Sequence, residues 1–308
     1  MSDTAEALVT AARVEREDVP AGRRWDRRWA EWAGLGLLSP AVVVLLLFLI
    51  PVGLAVYFGL TNLTLIGPGA NSLAFDPHIN LSRALHDSVL RTSIILTLVF
   101  VVAGVAGADV LGLALAVCIR RASTAMSAVV GAIALLAFML PPVTVGMTWY
   151  AFASAGGTLS SLLHQPHSDY LTSNAMTILV AANVWSLAGF AMLTCSAALR
   201  NVPEDMIEAA QLDGVTPWQR ARHLYLPSLK PTLVVTSLIL TLLSLGNFTL
   251  VYLLTAGGPG NATNILPMYS YQQAFQFNNL GYGALIGDVT VLLAALVAVA
   301  FIRASRVR

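Results

Sequence analysis

Charge is scarce in this chain. Asp, Glu, Lys and Arg make up 11% of its 308 residues, less than half of the roughly 25% usual for a soluble domain. Cysteine is nearly absent: Cys118 and Cys195 are the only two, both inside apolar runs, so neither a disulfide framework nor a zinc site is expected. No GxxxxGK[ST] stretch occurs, so the chain itself is not expected to bind ATP or magnesium. His78, His86, His164, His167 and His223 lack metal-ligand spacing, and no Ser or Asp near them forms a nucleophile motif. These absences point away from an enzyme. The net charge is only +1 and the basic residues sit at loop ends, so no nucleic-acid partner is expected. No repeat of about 20–50 residues stands out.

What is present is apolar length. Hydrophobic residues reach 57%, and several runs attain the roughly 20 residues that cross about 30 Å of hydrocarbon. The reading is an all-α, polytopic membrane protein surrounded by lipid. Its six spans lie near 33–59, 90–119, 125–153, 172–199, 232–256 and 281–302. Pro51 in the first and Pro141-Pro142 in the third predict kinks or breaks. Residues 1–32 mix Arg23, Arg24, Arg27 and Arg28 with Glu and Asp and lack the features of a signal peptide. They are expected to form a cytosolic arm. Residues 60–89 then make an extracytoplasmic loop, 90–302 a core of five helices, and 303–308 a cytosolic tail. With the N-terminus in the cytosol, all of the 17 Lys and Arg lie inside except Arg83 and Arg91, an asymmetry that places both termini in the cytosol.

One polar stretch organises the rest: Glu208 to Pro227, EAAQLDGVTPWQRARHLYLP, in a loop over 200–231. Pro203, Glu204 and Asp205 suit the first turn of a helix. Gly214 can close that helix as a left-handed cap, and Thr216 followed by Pro217 can open a second. Pro227 and Pro231 are expected to forbid continuation into the next span. Glu208-Ala209-Ala210, Gly214 and Leu224-x-Leu226-Pro227 resemble the EAA loop of permease subunits of bacterial ABC importers, with Leu224 where Ile is usual. The resemblance implies a loop that docks into a cytosolic ATPase and passes its movements to the membrane helices. Glu208 would meet a basic group there, and Ala209, Ala210 and Gly214 would permit close approach.

A second block supports the first. Leu254-Thr255-Ala256-Gly257-Gly258-Pro259, Thr263, Tyr269 to Phe275, and Gly281-Tyr282 are similar to the LTGGGP…T…YxYxxAF…GY pattern of carbohydrate-importer permeases of the maltose and glycerol-phosphate type. Ala256 replaces one glycine, a change expected to matter little if the remaining glycines suffice for the turn. The resemblance covers about residues 80–300. It implies a second, different permease subunit, two ATPase subunits holding ATP and magnesium, and an extracytoplasmic solute-binding protein.

A polar solute in hydrocarbon needs hydrogen-bonding groups inside the bundle. The fourth span offers Asn183, Trp185 and Ser186, and the fifth Ser244, Asn247 and Tyr252. Ser244 and Asn247, three apart, are expected to share one helical face. By the resemblance, Asn183, Ser186, Phe190, Leu240, Leu243, Ser244 and Asn247 match sugar-facing positions. The alternative is packing hydrogen bonds between helices, worth about 0.6–2 kcal/mol each. Asp109 and Asp288 also lie within spans, where an acid should face the bundle interior. Each is either satisfied by a backbone carbonyl, a hydroxyl or a partner residue, or takes part in recognition or gating. A rival reading makes them the proton relay of a secondary transporter, in which the EAA loop has no purpose. The expected cargo is a carbohydrate or sugar derivative, with glycerol-3-phosphate-type esters as the alternative. The absence of a basic residue near the inferred site disfavours a phosphate.

Overall fold

The computed structural model describes residues 27–71, 73–165, 167–203, 205–206, 210 and 212–306. The chain divides into two units, one ending at Leu54 and one running from Ala55 to Arg308. Among the described residues the regular elements are helical, and the one extended pairing is an isolated bridge between Thr61 and Phe75.

Helix α1, Arg27–Gly59, begins before the expected start of the first span, so part of the predicted arm is helical. Pro51 does not end it. Side chains from Val42 to Ile50 are exposed, as suits a segment surrounded by lipid. Helix α2, Pro77–His86, occupies part of the expected outer loop. Helix α3, Ser88–Arg121, follows directly, because Asp87 caps it by accepting the Val89 and Leu90 amides at 2.8 and 3.2 Å.

The third span is broken as its two prolines predict. Helix α4, Thr124–Met139, and the segment Pro142–Leu162, which opens with helix α5 (Pro142–Ala153), turn by 103° across Leu140 and Pro141. Helix α6, Ala175–Arg200, is the central element and packs on α3, α4 and α5. Lipid tails are as apolar as leucine, so helices in a bilayer associate through close packing rather than through escape from water. Small residues make that approach possible here. A Cβ added to Gly112 of α3 would lie 2.4 Å from Ala191 Cβ, and one on Gly189 of α6 only 1.9 Å from the Ala134 carbonyl oxygen of α4.

Two expectations about the fifth span fail. Helix α7, Leu226–Leu245, starts earlier than residue 232 and contains Pro231, with Pro227 in its first turn. A π turn, Ala221–Tyr225, leads into it without interruption. Proline clashes with the carbonyl four residues earlier in an α-helix, and the wider π turn relieves that contact ahead of Pro227. Ser228 Oγ also donates to the Leu224 carbonyl at 2.8 Å. The span then stops at Leu245 instead of running to 256, and a separate helix α8, Phe248–Leu254, follows. Helix α9, Leu266–Tyr271, and helix α10, Leu280–Arg306, complete the chain, α10 continuing into the expected tail.

Five described helices are long and apolar enough to cross a membrane, six if the bent α4–α5 pair is one span. Phe100, Leu179, Leu240, Val251 and Met268 meet in the core of the second unit.

Candidate functional site

A cleft of about 450 Å³ opens between the α4–α5 elbow, α6 and the gap between α7 and α8. Phe138 and Pro142 line it from the elbow, Ser186 from α6, and Leu243, Gly246 and Asn247 from the gap. Asn247 makes the gap: its Oδ1 accepts the Leu250 amide at 3.4 Å and so caps α8. Its Nδ2 donates to Asn183 Oδ1 at 3.2 Å, while Asn183 Nδ2 donates to Ser244 Oγ at 3.0 Å. Ser244 and Asn247 therefore lie on either side of a helix end rather than on one helical face, and Asn183 joins them. Asn183 and Ser244 are fully buried behind the wall. Of the residues expected in the pathway, Ser186, Leu243 and Asn247 reach the cleft. Phe190 packs on Phe138 with ring centroids 5.2 Å apart. Leu240 is buried, Trp185 meets Trp149 edge-on at 6.4 Å, and Tyr252 stacks on Phe248 at 5.4 Å. Among the described residues the cleft lining contains no charged side chain.

The polar loop is built from local hydrogen bonds. Gly214 takes φ +68° and the Val215 amide donates to the Ala210 carbonyl at 3.2 Å, closing the first helix with a Schellman-type cap. Thr216 and Gln219 form a reciprocal capping box. The Thr216 amide donates to Gln219 Oε1 at 2.9 Å, and the Gln219 amide to Thr216 Oγ1 at 3.3 Å. Glu208 and Ala209 lie outside the described residues. Leu212 is 89% exposed, an apolar tip that composition alone did not single out. At the loop's exit Tyr225 is buried against Ala116 of α3 and Met192, Cys195 and Leu199 of α6. Leu224 packs beside it, whereas Leu226 and Pro227 are exposed. A displacement of this loop thus acts on α7 by continuity and on α3 and α6 through the Tyr225 ring.

The opposite end of α3 carries a junction that sequence reading missed. Asp87 Oδ2 accepts the hydroxyls of Tyr269 on α9 and Tyr282 on α10 at 2.5 and 2.6 Å. Burial acts to raise the carboxyl's pKa, but these hydroxyls and the two cap amides outweigh it and hold the group below the usual carboxylate value. Arg83 lies 4.1 Å over the Tyr282 ring and donates to Gln273 Oε1 at 2.9 Å. The turn before α9 is pinned by Thr263, whose Oγ1 is 2.7 Å from both Thr255 Oγ1 and the Gly258 carbonyl. Ala256 in that turn has φ +49°. The expectation that alanine matters little there is corrected: this is left-handed backbone, which costs an L-residue about 1–2 kcal/mol and glycine almost nothing.

Residues 108–306, which hold the cleft residues and the loop, match the model of the binding-protein-dependent transport system inner membrane component family. The chain belongs to this family. It is a permease subunit of an ABC importer, a multi-pass membrane protein and not an enzyme; hydrolysis of ATP falls to a separate subunit. The trehalose transport system permease protein SugA of Mycobacterium tuberculosis is 32% identical over 272 residues, 87% of this chain and 86% of SugA. The sulfoquinovosyl glycerol transport system permease protein SmoG of Agrobacterium fabrum is 28% identical over 314 residues, 97% and 98% of the two chains. A crystal structure of a bacterial ABC transporter involved in alginate import shares the fold, with a TM-score of 0.73 at 20% identity over 92% of this chain and 98% of that one.

The permease's two intramembrane acids stand apart. Asp109 Oδ2 accepts from Ser237 Oγ at 2.5 Å and ties α3 to α7, while its buried Oδ1 has no partner among the described residues. Asp288 lies against Gly59, where an added Cβ would fall 2.8 Å from its Oδ2. The two acids share no partner among the described residues, and the family match removes the secondary-transporter reading.

Proposed function

We propose that this permease forms half of the translocation pathway for a carbohydrate or sugar derivative. A second, different permease completes the pathway, two ATPase subunits hold ATP and magnesium, and an extracytoplasmic binding protein delivers the solute. Both termini and the Glu208 loop face the cytosol in this arrangement. ATP binding closes the ATPase pair, draws the two loops together and shifts the bundle toward an outward-open cavity; hydrolysis resets it. The observation that carries the cargo class is the cleft wall. Ser186 and Asn247 present a hydroxyl and an amide without any charge, the groups that hydrogen-bond sugar hydroxyls, and the relatives named above are trehalose and sulfoquinovosyl glycerol permeases. A phosphate ester would need a cation that this wall lacks.

The test is ATP-driven uptake into vesicles holding this chain together with its second permease, ATPase and binding protein. Labelled trehalose and related glycosides are offered against glycerol-3-phosphate. Uptake of a glycoside that Asn247→Leu abolishes without loss of assembly is the expected result. Glu208→Lys is expected to uncouple hydrolysis from uptake. Preference for the phosphate ester, or full uptake in the Asn247 variant, overturns the cargo reading.

A further inference from the structure

A second cleft, of about 380 Å³, lies where α3 and α6 end and α4 begins, next to the buried Tyr225. Its chemistry is opposite to that of the translocation cleft. Among the described residues, Arg120, Arg200, Ser127 and Ser196 line it, together with apolar Ile119 and Leu199 and no acid. Arg120 bonds the Leu199 carbonyl and stands 5.8 Å over the Tyr225 ring. Arg200 has no hydrogen-bond or ion-pair partner among the described residues. Ser196 Oγ is buried and unpartnered as well.

The arginines serve in part to offset helix dipoles. The C-termini of α3 and α6 bring roughly half a negative charge each, and the N-terminus of α4 returns roughly half a positive one. Two full guanidinium charges exceed that sum, so the cleft stays positive, with one guanidinium uncommitted. A planar guanidinium fork fits phosphate oxygens, and a hydroxyl supplies a further donor. We propose that this cleft binds a phosphate group, carried by an anionic phospholipid or free in solution. Occupancy draws on Arg120, whose other contacts are the end of α6 and the exit of the coupling loop, so the ligand bears on the part of the permease that responds to the ATPase.

The experiment uses the full-length permease in neutral detergent and in nanodiscs. Melting is followed with inorganic phosphate against chloride at equal ionic strength. Native mass spectrometry counts retained phosphatidylglycerol against phosphatidylcholine. Stabilisation by inorganic phosphate identifies a free ligand, and selective retention of phosphatidylglycerol alone identifies a headgroup. In either case Arg200→Gln is expected to weaken binding about tenfold and Ser196→Ala a few-fold, while Arg303→Gln, an equal loss of charge on α10, leaves it unchanged. Ser196→Ala should melt normally in chloride, which separates lost binding from lost folding. Binding of neither probe above its control, or equal loss in the Arg303 variant, overturns the proposal.

Discussion

Exchanging Asp87 for asparagine keeps the side chain's shape and turns one acceptor oxygen into a donor. In the permease Oδ1 serves the α3 cap and Oδ2 serves the hydroxyls of Tyr269 and Tyr282, so an amide can satisfy only one pair. Tyr269 is 5% exposed and Tyr282 0%, which keeps water from replacing a lost acceptor. Stranding the two hydroxyls costs about 1–3 kcal/mol each, whereas giving up the cap costs about 1. Asp87→Asn therefore turns its oxygen to the tyrosines and loses about 1–2 kcal/mol. Asp87→Ala forfeits both sets and loses at least about 3 kcal/mol. Equilibrium unfolding in mixed micelles gives both values. A cycle with Tyr269→Phe should return a coupling of about 1–3 kcal/mol. An Asp87→Ala variant within about 0.5 kcal/mol of the parent would refute the junction as an energetic element.

The remaining expectations concern packing, strain, the cleft and pH. Gly189→Val forces α6 from the Ala134 carbonyl and should lower stability by at least about 1–3 kcal/mol, seen as early melting and poor assembly. Ala256→Gly relieves left-handed backbone and should raise stability by about 1 kcal/mol; an unchanged melting temperature counts against the strain. Asn183→Leu strands Asn247 and Ser244 and should abolish uptake although the cleft's own residues are intact; normal uptake would show that the α7–α8 gap holds without that network. On pH, Asp87 sits below its ordinary 3.8, so its contribution is present above that value and fades as pH falls through the folded value. Tyr269 is raised above its ordinary 10.0, first by burial and then by the Asp87 carboxylate, so its contribution is present below 10.0 and fades as pH rises beyond it. Melting of the parent should therefore fall off at both extremes more steeply than that of Asp87→Ala; parallel profiles would contradict the assignment.

The spans, the break at Pro141-Pro142 and the caps at Gly214 and Thr216 were legible because each depends on groups close together in the chain. Twenty apolar residues need a bilayer wherever they occur, and a capping box closes over three residues. The end of α7 was not legible, since residues 232–256 form one apolar run without a charge or a proline after Pro231. Helix α8 packs against α5, and Asn183 reaches Asn247 across 64 positions. The prolines of the loop misled for a related reason: a π turn, invisible in composition, let the helix pass through them.

Sequence by itself determined that this chain crosses a membrane, which long apolar stretches can span it, and that a polar loop with caps at Gly214 and Thr216 separates two spans. Only the tertiary structure decided which polar groups meet. Asp87 finds Tyr269 and Tyr282 at separations of 182 and 195 residues. A membrane interior punishes every unpaired polar group but does not say where its partner lies in the chain; that is settled when the helices come back alongside one another.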